Sequence, residues 1–257
     1  MDAFAPGTIE AFGLYLVRTS ALVLAAPVFG SNTGFSGYKV TLIFTVALLL
    51  YGVHGVPLDH ALQPIEFACL ALREVLIGLA LSFSLQLVVL VVRVAGDVIG
   101  TEMGFNMASI IDPVMGVQTP IITQIYETFF FLGFLMVNGH HMLMRGLAQS
   151  FERAPVGTLE VSKELPWIIE RLFSQMFTAG LTFAAPVMVL LVTATLILAL
   201  LSRAVPQLNV NEVGYALRVI IGLAALFAFS PFLASALEGL YAHIEIGMTA
   251  VIDAVGT

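Results

Sequence analysis

Cysteine is almost missing from this chain. Cys69 stands alone, which excludes an internal disulfide and any metal cage built from cysteine. Charge is the next scarcity: Asp, Glu, Lys and Arg make up 11% of the residues, against roughly 25% in a soluble domain. Positive charge is scarcer still. Ten Lys and Arg face seventeen Asp and Glu, a formal net charge of −7, which argues against nucleic acid and against an anionic lipid patch. Met1 to Leu14 holds Asp2 and Glu10 with no basic region, and no small-residue cleavage site follows an early apolar core, so no signal peptide is expected. No repeat of fixed period, low-complexity tail, phosphate loop, dinucleotide fingerprint or paired-carboxylate constellation is visible.

What fills the chain is apolar. Hydrophobic residues make up 59% of its 257 positions, and the mean hydropathy is +1.01. A membrane crossing takes about 17–25 residues, and six stretches meet or approach that length: Phe12–Gly30, Val40–Pro57, Val75–Val92, Thr128–Met144, Leu172–Ser202 and Val219–Leu237. The fold class expected is therefore all-α, an integral membrane protein of about six long helices in one domain. Arg18 sits inside the first stretch, and Pro27, Pro186 and Pro231 interrupt others or their ends. Asn138-Gly139-His140-His141 lies inside the fourth. Interior proline removes a helix hydrogen bond and kinks the rod unless neighbours satisfy the freed groups. Such helices are built to pack on protein. The positive-inside rule puts both termini outside and the connections with Lys39, Arg93, and Arg203 with Arg218 in the cytoplasm. It also leaves Arg145, Arg153, Lys163 and Arg171 together on the outside, so a simple six-span bundle fits the charges poorly.

One segment is unlike the rest. Gly96 to Pro120 reads GDVIGTEMGFNMASIIDPVMGVQTP, with Gly96, Gly100, Gly104 and Ala108 at four-residue spacing. On a helix these form one bare face that lets another backbone approach closely, a helix-packing seam. Asp112-Pro113 and Thr119-Pro120 are expected to stop the helix, because proline pushes its predecessor out of the α region. Irregular backbone beside membrane spans survives where protein buries it or where it lines a wet cavity. The segment is a pathway or seal in a membrane assembly, or a packing seam ending in a loop. Met103, Met107 and Met115 are flexible fillers, Phe105, Ile110 and Ile111 add apolar bulk, and Gly104 and Gly116 free the backbone.

Catalytic readings fare worse. Gly34-Phe35-Ser36-Gly37 matches the G-x-S-G pattern of rhomboid-type intramembrane proteases, whose serine opens a later helix after a histidine-bearing one and needs a base within hydrogen-bond reach. Ser36 instead lies between the first two stretches beside Ser31, Asn32 and Thr33, which reads as a turn. Adjacent His140 and His141 point about 100° apart on a helix, poor spacing for one metal. A small secondary transporter is the stronger alternative. Arg73-Glu74 opens the third stretch, Asp97, Glu102, Asp112 and Glu127 surround the broken segment, and ionisable groups at membrane depth are functional candidates. No second half repeats the broken element. The simpler reading of Arg73-Glu74 is a membrane-boundary pair.

Taken in order, GTEMGFNMASIIDP (Gly100–Pro113), NGHH (Asn138–His141), Ser150-Phe151 with Pro155 and Gly157, Ala185-Pro186-Val187 and LSRAVPQLNV ending at Val210 resemble the FliR/SctT family of type III secretion export gates. Arg18, Ala26-Pro27 and Glu74 fall where such proteins carry them. The resemblance departs after Val210, where Asn211-Glu212-Val213-Gly214-Tyr215-Ala216-Leu217-Arg218 replaces an aromatic and a Gly-Phe-Pro-Leu-Lys-like stretch.

The resemblance implies a non-catalytic, cofactor-free and metal-free gate subunit in the bacterial inner membrane, within the flagellar basal body. Its implied partners are FliP-type and FliQ-type gate subunits, FlhB-type and FlhA-type export proteins, and unfolded export substrates. It implies a P-type-like part over 1–170 and a Q-type-like helical hairpin over 171–257. It also implies a channel plug at Gly104, Phe105, Asn106, Met107, Ala108, Ile111, Asp112, Pro113, Met115 and Gly116, and a cytoplasmic loop at Arg203, Pro206, Gln207 and Asn209. The Arg-x-x-Pro-Gln-x-Asn-Val run is more similar to the flagellar branch than to the virulence injectisome, which remains the alternative.

Overall fold

The computed structural model describes residues 7–29, 37–58, 60, 62–105, 121–157, 164–204 and 210–255. Among them all regular structure is helical: α1 Thr8–Ala25, a 3₁₀ turn Pro27–Phe29, α2 Gly37–His54, α3 Pro64–Glu102, α4 Ile121–Met136, α5 Gly139–Arg153, α6 Leu165–Ala204, α7 Val210–Ala228 and α8 Ser230–Val255. The protein is an all-α, multi-pass membrane protein. By length and composition α1, α2, α3 and α6 can each cross a membrane, and α4 with α5 makes a fifth crossing if the two form one span.

Several helix bounds differ from the apolar stretches. α3 and α6 run for 39 and 40 residues, about twice the ~20 that a bilayer core requires. The expected span Thr128–Met144 is two helices, because Asn138 takes a left-handed conformation at φ 56°. Asn tolerates that region better than most residues, and Gly139 follows it. The expected span Val219–Leu237 is likewise divided between α7 and α8 at Phe229. Pro231 does not break a helix; it lies in the first turn of α8, where no intrahelical donor is needed. Pro186 does lie inside α6. Arg93 was expected in a connection and instead sits within α3.

Two compact units divide the chain. The first comprises 1–87, 137–173 and 242–257. Its core includes Leu14, Leu22, Ala47, Leu81, Leu85, Leu147, Phe151 and Ile244, all buried. Tyr15 stacks on Phe151 with ring centroids 4.1 Å apart and meets Tyr51 edge-on. α1 and α3 touch closely at Gly78, where a Cβ would lie 2.5 Å from the Arg18 carbonyl oxygen. The Gln86 amide donates to the Ala25 carbonyl at 2.8 Å, satisfying an acceptor that the end of α1 leaves free.

The second unit comprises 88–136 and 174–241. Val92, Ala95, Ile99, Met103, Phe130, Phe134, Ala184 and Leu191 are buried in it. The Tyr241 hydroxyl donates to the Phe130 carbonyl at 2.9 Å, and Gly133 leaves room for that ring. Gly180 of α6 faces the backbone of Val91.

Candidate functional site

The glycine-rich segment is described up to Phe105 and again from Ile121. α3 does not continue to Asp112. It ends at Glu102 under a Schellman cap: the Phe105 N–H donates to the Gly100 carbonyl at 3.0 Å and the Gly104 N–H to that of Thr101 at 2.9 Å. Gly104 supplies the left-handed residue such a cap requires, at φ 88°, and a Cβ there would also lie 2.6 Å from the Tyr215 ring. Gly104 is therefore past the helix end and not a third member of a continuous helical face. Gly100 and Gly96 are buried. At Gly96 a Cβ would lie 2.6 Å from the Thr123 Cα, a close approach of α3 to α4.

Met103 was expected among the loose fillers of the segment. Instead it is wholly buried against α7, where a Cβ on Gly222 would come within 2.6 Å of it. Phe105 is half-buried. The remaining residues named for the plug, Asn106, Met107, Ala108, Ile111, Asp112, Pro113, Met115 and Gly116, lie outside the described residues. So do the proline stops at Asp112-Pro113 and Thr119-Pro120, Pro206, Gln207 and Asn209 of the expected cytoplasmic loop, and Ser36 of the protease-like run. Arg203 is exposed in the last turn of α6, where a cation favours the helix dipole.

Polar groups cross-link the two stems of the segment. Arg93 pairs with Glu127, and the Thr123 hydroxyl donates to Asp97 Oδ1 at 2.6 Å. The Thr101 hydroxyl donates back to the Asp97 carbonyl at 2.7 Å. These acids hold partners within the protein, as stem-to-stem fasteners would.

Sequence spacing gave no view of the polar centre of the first unit. Arg18 is 0% exposed. Its Nε donates to Glu74 Oε2 at 2.5 Å, its Nη1 to the Ser150 carbonyl at 2.8 Å and hydroxyl at 3.2 Å, and its Nη2 to the Ala154 carbonyl at 2.8 Å. The guanidinium carbon also lies 4.2 Å from the centroid of Phe151. Arg73 donates to the other Glu74 oxygen at 3.0 Å and to the Pro155 carbonyl at 3.1 Å. Arg73-Glu74 is buried within the protein, with Glu74 0% exposed between two arginines. Three guanidinium nitrogens, two of Arg18 and one of Arg73, donate to three carbonyls at the end of α5 and just after it, those of Ser150, Ala154 and Pro155. This is an anchor joining α1, α3 and α5.

Other polar sites are weaker. A cleft of about 630 Å³ in the first unit is lined by Arg145, Gln149 and Arg153 of α5 and by Glu245 and Asp253 of α8. Its ion pair, Arg153–Asp253 at 3.6 Å, is more than half exposed at both ends and acts as a solvated surface pair. His140 and His141 pack ring to ring at 4.2 Å. Among the described residues no group of three His, Cys, Asp or Glu is placed to hold a metal.

Comparison with known proteins completes the description. The family model for bacterial export proteins, family 1, matches residues 9–244. The chain is 30% identical over 230 residues to the flagellar biosynthetic protein FliR of Escherichia coli (strain K12), covering 89% of this chain and 87% of that protein. It is 31% identical over 219 residues to the FliR of Bacillus subtilis (strain 168), covering 84% of each. It is also similar to the surface presentation of antigens protein SpaR of Shigella sonnei, 26% identical over 217 residues, with 83% of this chain and 82% of that protein covered.

Proposed function

The chain belongs to the bacterial export proteins, family 1, and on that premise we propose that it is a non-catalytic subunit of the flagellar type III protein export gate. In this role it helps to form the channel for unfolded export substrates and supplies the segment that plugs it. The observation that carries the reading is the family match, which runs from α1 into α8. The FliR relatives favour flagellar service; the relative in Shigella sonnei supports a second reading, service in a virulence injectisome.

The partners we assign are FliP-type and FliQ-type gate subunits, with FlhB-type and FlhA-type export proteins near the loop after Arg203, in the bacterial inner membrane. Residues 1–170 form the P-type-like part and 171–257 the Q-type-like hairpin. Long exposed apolar side chains such as Val53, Leu196 and Phe227 suit lipid or partner helices rather than water. The plug is assigned to Gly104–Gly116 because two fastened stems, α3 and α4, hold its ends and because its side chains are adaptable.

Co-expression with P-type and Q-type subunits, followed by purification in mild detergent, tests the reading. A stable hetero-oligomer with one copy of this chain supports the gate. A homodimer that takes up solute in vesicles would support the carrier instead. Restored swimming in a flagellar gate deletion strain, without restored virulence secretion in the matching injectisome strain, would select the flagellar branch.

A further inference from the structure

Within the first unit, α5 and the end of α8 run side by side in the same direction. Gly146 sets their spacing, since a Cβ there would overlap the Met248 methyl, and Arg153 meets Asp253 at 3.6 Å further along. Above this floor lies the cleft of about 630 Å³, to which each helix turns polar side chains four residues apart: Arg145, Gln149 and Arg153 on α5, and Glu245, Thr249 and Asp253 on α8. Four residues rise about 6 Å, so the two rows keep step, with cations on one wall and acids on the other. The volume falls within the range of small-molecule sites, roughly 300–1,000 Å³.

Most of these groups are engaged. Arg153 holds Asp253, Glu152 on the α5 wall lies 3.8 Å from His54 Nδ1, and the Thr249 hydroxyl donates to the Glu245 carbonyl at 2.8 Å. Arg145 and Glu245, on facing walls near the other end, form no ion pair among the described residues. Gln149 stands one turn from both arginines, with an amide that can donate and accept. Val137 and Met142 line the same end and give it an apolar rim. An anion alone would meet Arg145 but be repelled by Glu245, and a cation alone would suffer the reverse. A ligand that carries both charges and is neutral in sum meets each wall with its opposite.

We propose that this cleft binds the headgroup of a zwitterionic phospholipid of the ethanolamine class. Its phosphate lies against Arg145 and Gln149, its primary ammonium against Glu245, and its glycerol end over Val137 and Met142. The chain is a multi-pass membrane protein, and the apolar run that ends at Val137 gives way at Asn138 to the polar face of α5. Such a change of character suits a segment passing from hydrocarbon into the headgroup layer. The proposal needs only a membrane protein and does not depend on the gate reading.

Lipid titration of the detergent-purified full chain, with whatever subunits co-purify, tests it by native mass spectrometry. The probes are dioctanoyl phosphatidylethanolamine, dioctanoyl phosphatidylglycerol and free O-phosphoethanolamine. The ethanolamine lipid should bind about fivefold more tightly than the glycerol lipid, the effect of one exposed charge pair at the upper end of its range. Glu245→Gln should erase that preference while the glycerol lipid binds at least as tightly as before, and Arg145→Gln should weaken both lipids. Both residues are exposed, so the variants should keep the parent's thermal midpoint. Equal affinity for the two lipids in the parent, or a preference that survives Glu245→Gln, would overturn the proposal. A parent that binds no lipid, with a co-purifying subunit released by either variant, would overturn it too and make the cleft a protein contact. O-phosphoethanolamine binding as tightly as the ethanolamine lipid would overturn the lipid as the source of the headgroup.

Discussion

Replacing Arg18 by Met should destabilise the assembled protein by about 3–5 kcal/mol, the range for removing one partner of a buried ion pair. Arg18 and Glu74 are both 0% exposed, so neither end is screened by water. The substitution removes the 2.5 Å contact to Glu74 and strands two carbonyls, Ser150 and Ala154, at the end of α5. Hydrogen bonds to a charged group contribute about 1.5–3 kcal/mol each, but they do not add when they share one donor group. Arg73 still pairs with Glu74 after the change, which favours the lower end of the range. At 1.4 kcal/mol per tenfold, 3 kcal/mol is about a hundredfold in the folding equilibrium. The double replacement Arg18→Met with Glu74→Leu should recover part of the loss, since exchanging a buried pair for apolar groups is often neutral. Denaturant titration of the co-expressed complex in mild detergent, followed by Tyr and Trp fluorescence, gives the midpoints. A single variant within 1 kcal/mol of the parent would refute the anchor, as would a double variant less stable than the single by the full cost of Glu74.

Three further substitutions probe the second unit. Gly96→Ala puts a Cβ 2.6 Å from the Thr123 Cα and should cost about 1–3 kcal/mol by forcing α3 and α4 apart, read as a lower midpoint in the same titration. Gly104→Leu must hold a side chain at φ 88° against Tyr215; it should lower assembly yield on size exclusion and export in a secretion assay, whereas Phe105→Leu should not lower yield. Tyr241→Phe loses the hydroxyl bond to the Phe130 carbonyl and should cost about 0.5–1.5 kcal/mol, with no change in which subunits co-purify.

Hydropathy made the helical class and the positions of most helices legible, because a long apolar run has few other uses. It could not set their ends. The window over Thr128–Met144 is apolar enough to pass as one rod, and only Asn138-Gly139, residues at ease in left-handed backbone, signalled the break. Pro231 drew attention to the right place for the wrong reason, since it opens a helix there and the division falls at Phe229. Four-residue glycine spacing pointed to a close approach, and Gly96 makes one, but the same spacing could not reveal that Gly104 caps the helix instead of extending it. The Arg18 anchor was out of reach. Its partners lie 56, 132 and 136 residues away, and periodicity carries no information at such separations. The burial of Arg73-Glu74 was equally out of reach, because only its immediate neighbours could be read.

The most direct measurement of the central claim is the conductance of bilayers holding the co-assembled complex with Phe105–Val117 deleted. The apolar helices and the stem fasteners Arg93–Glu127 and Thr123–Asp97 all lie outside the deletion, so assembly should persist. The membrane should become permeable to ions and small solutes, with a milder leak when Met107 and Met115 are each changed to Ala. A deletion complex that assembles with its full set of subunits and conducts no more than the parent would contradict the account and place the seal in the partner subunits.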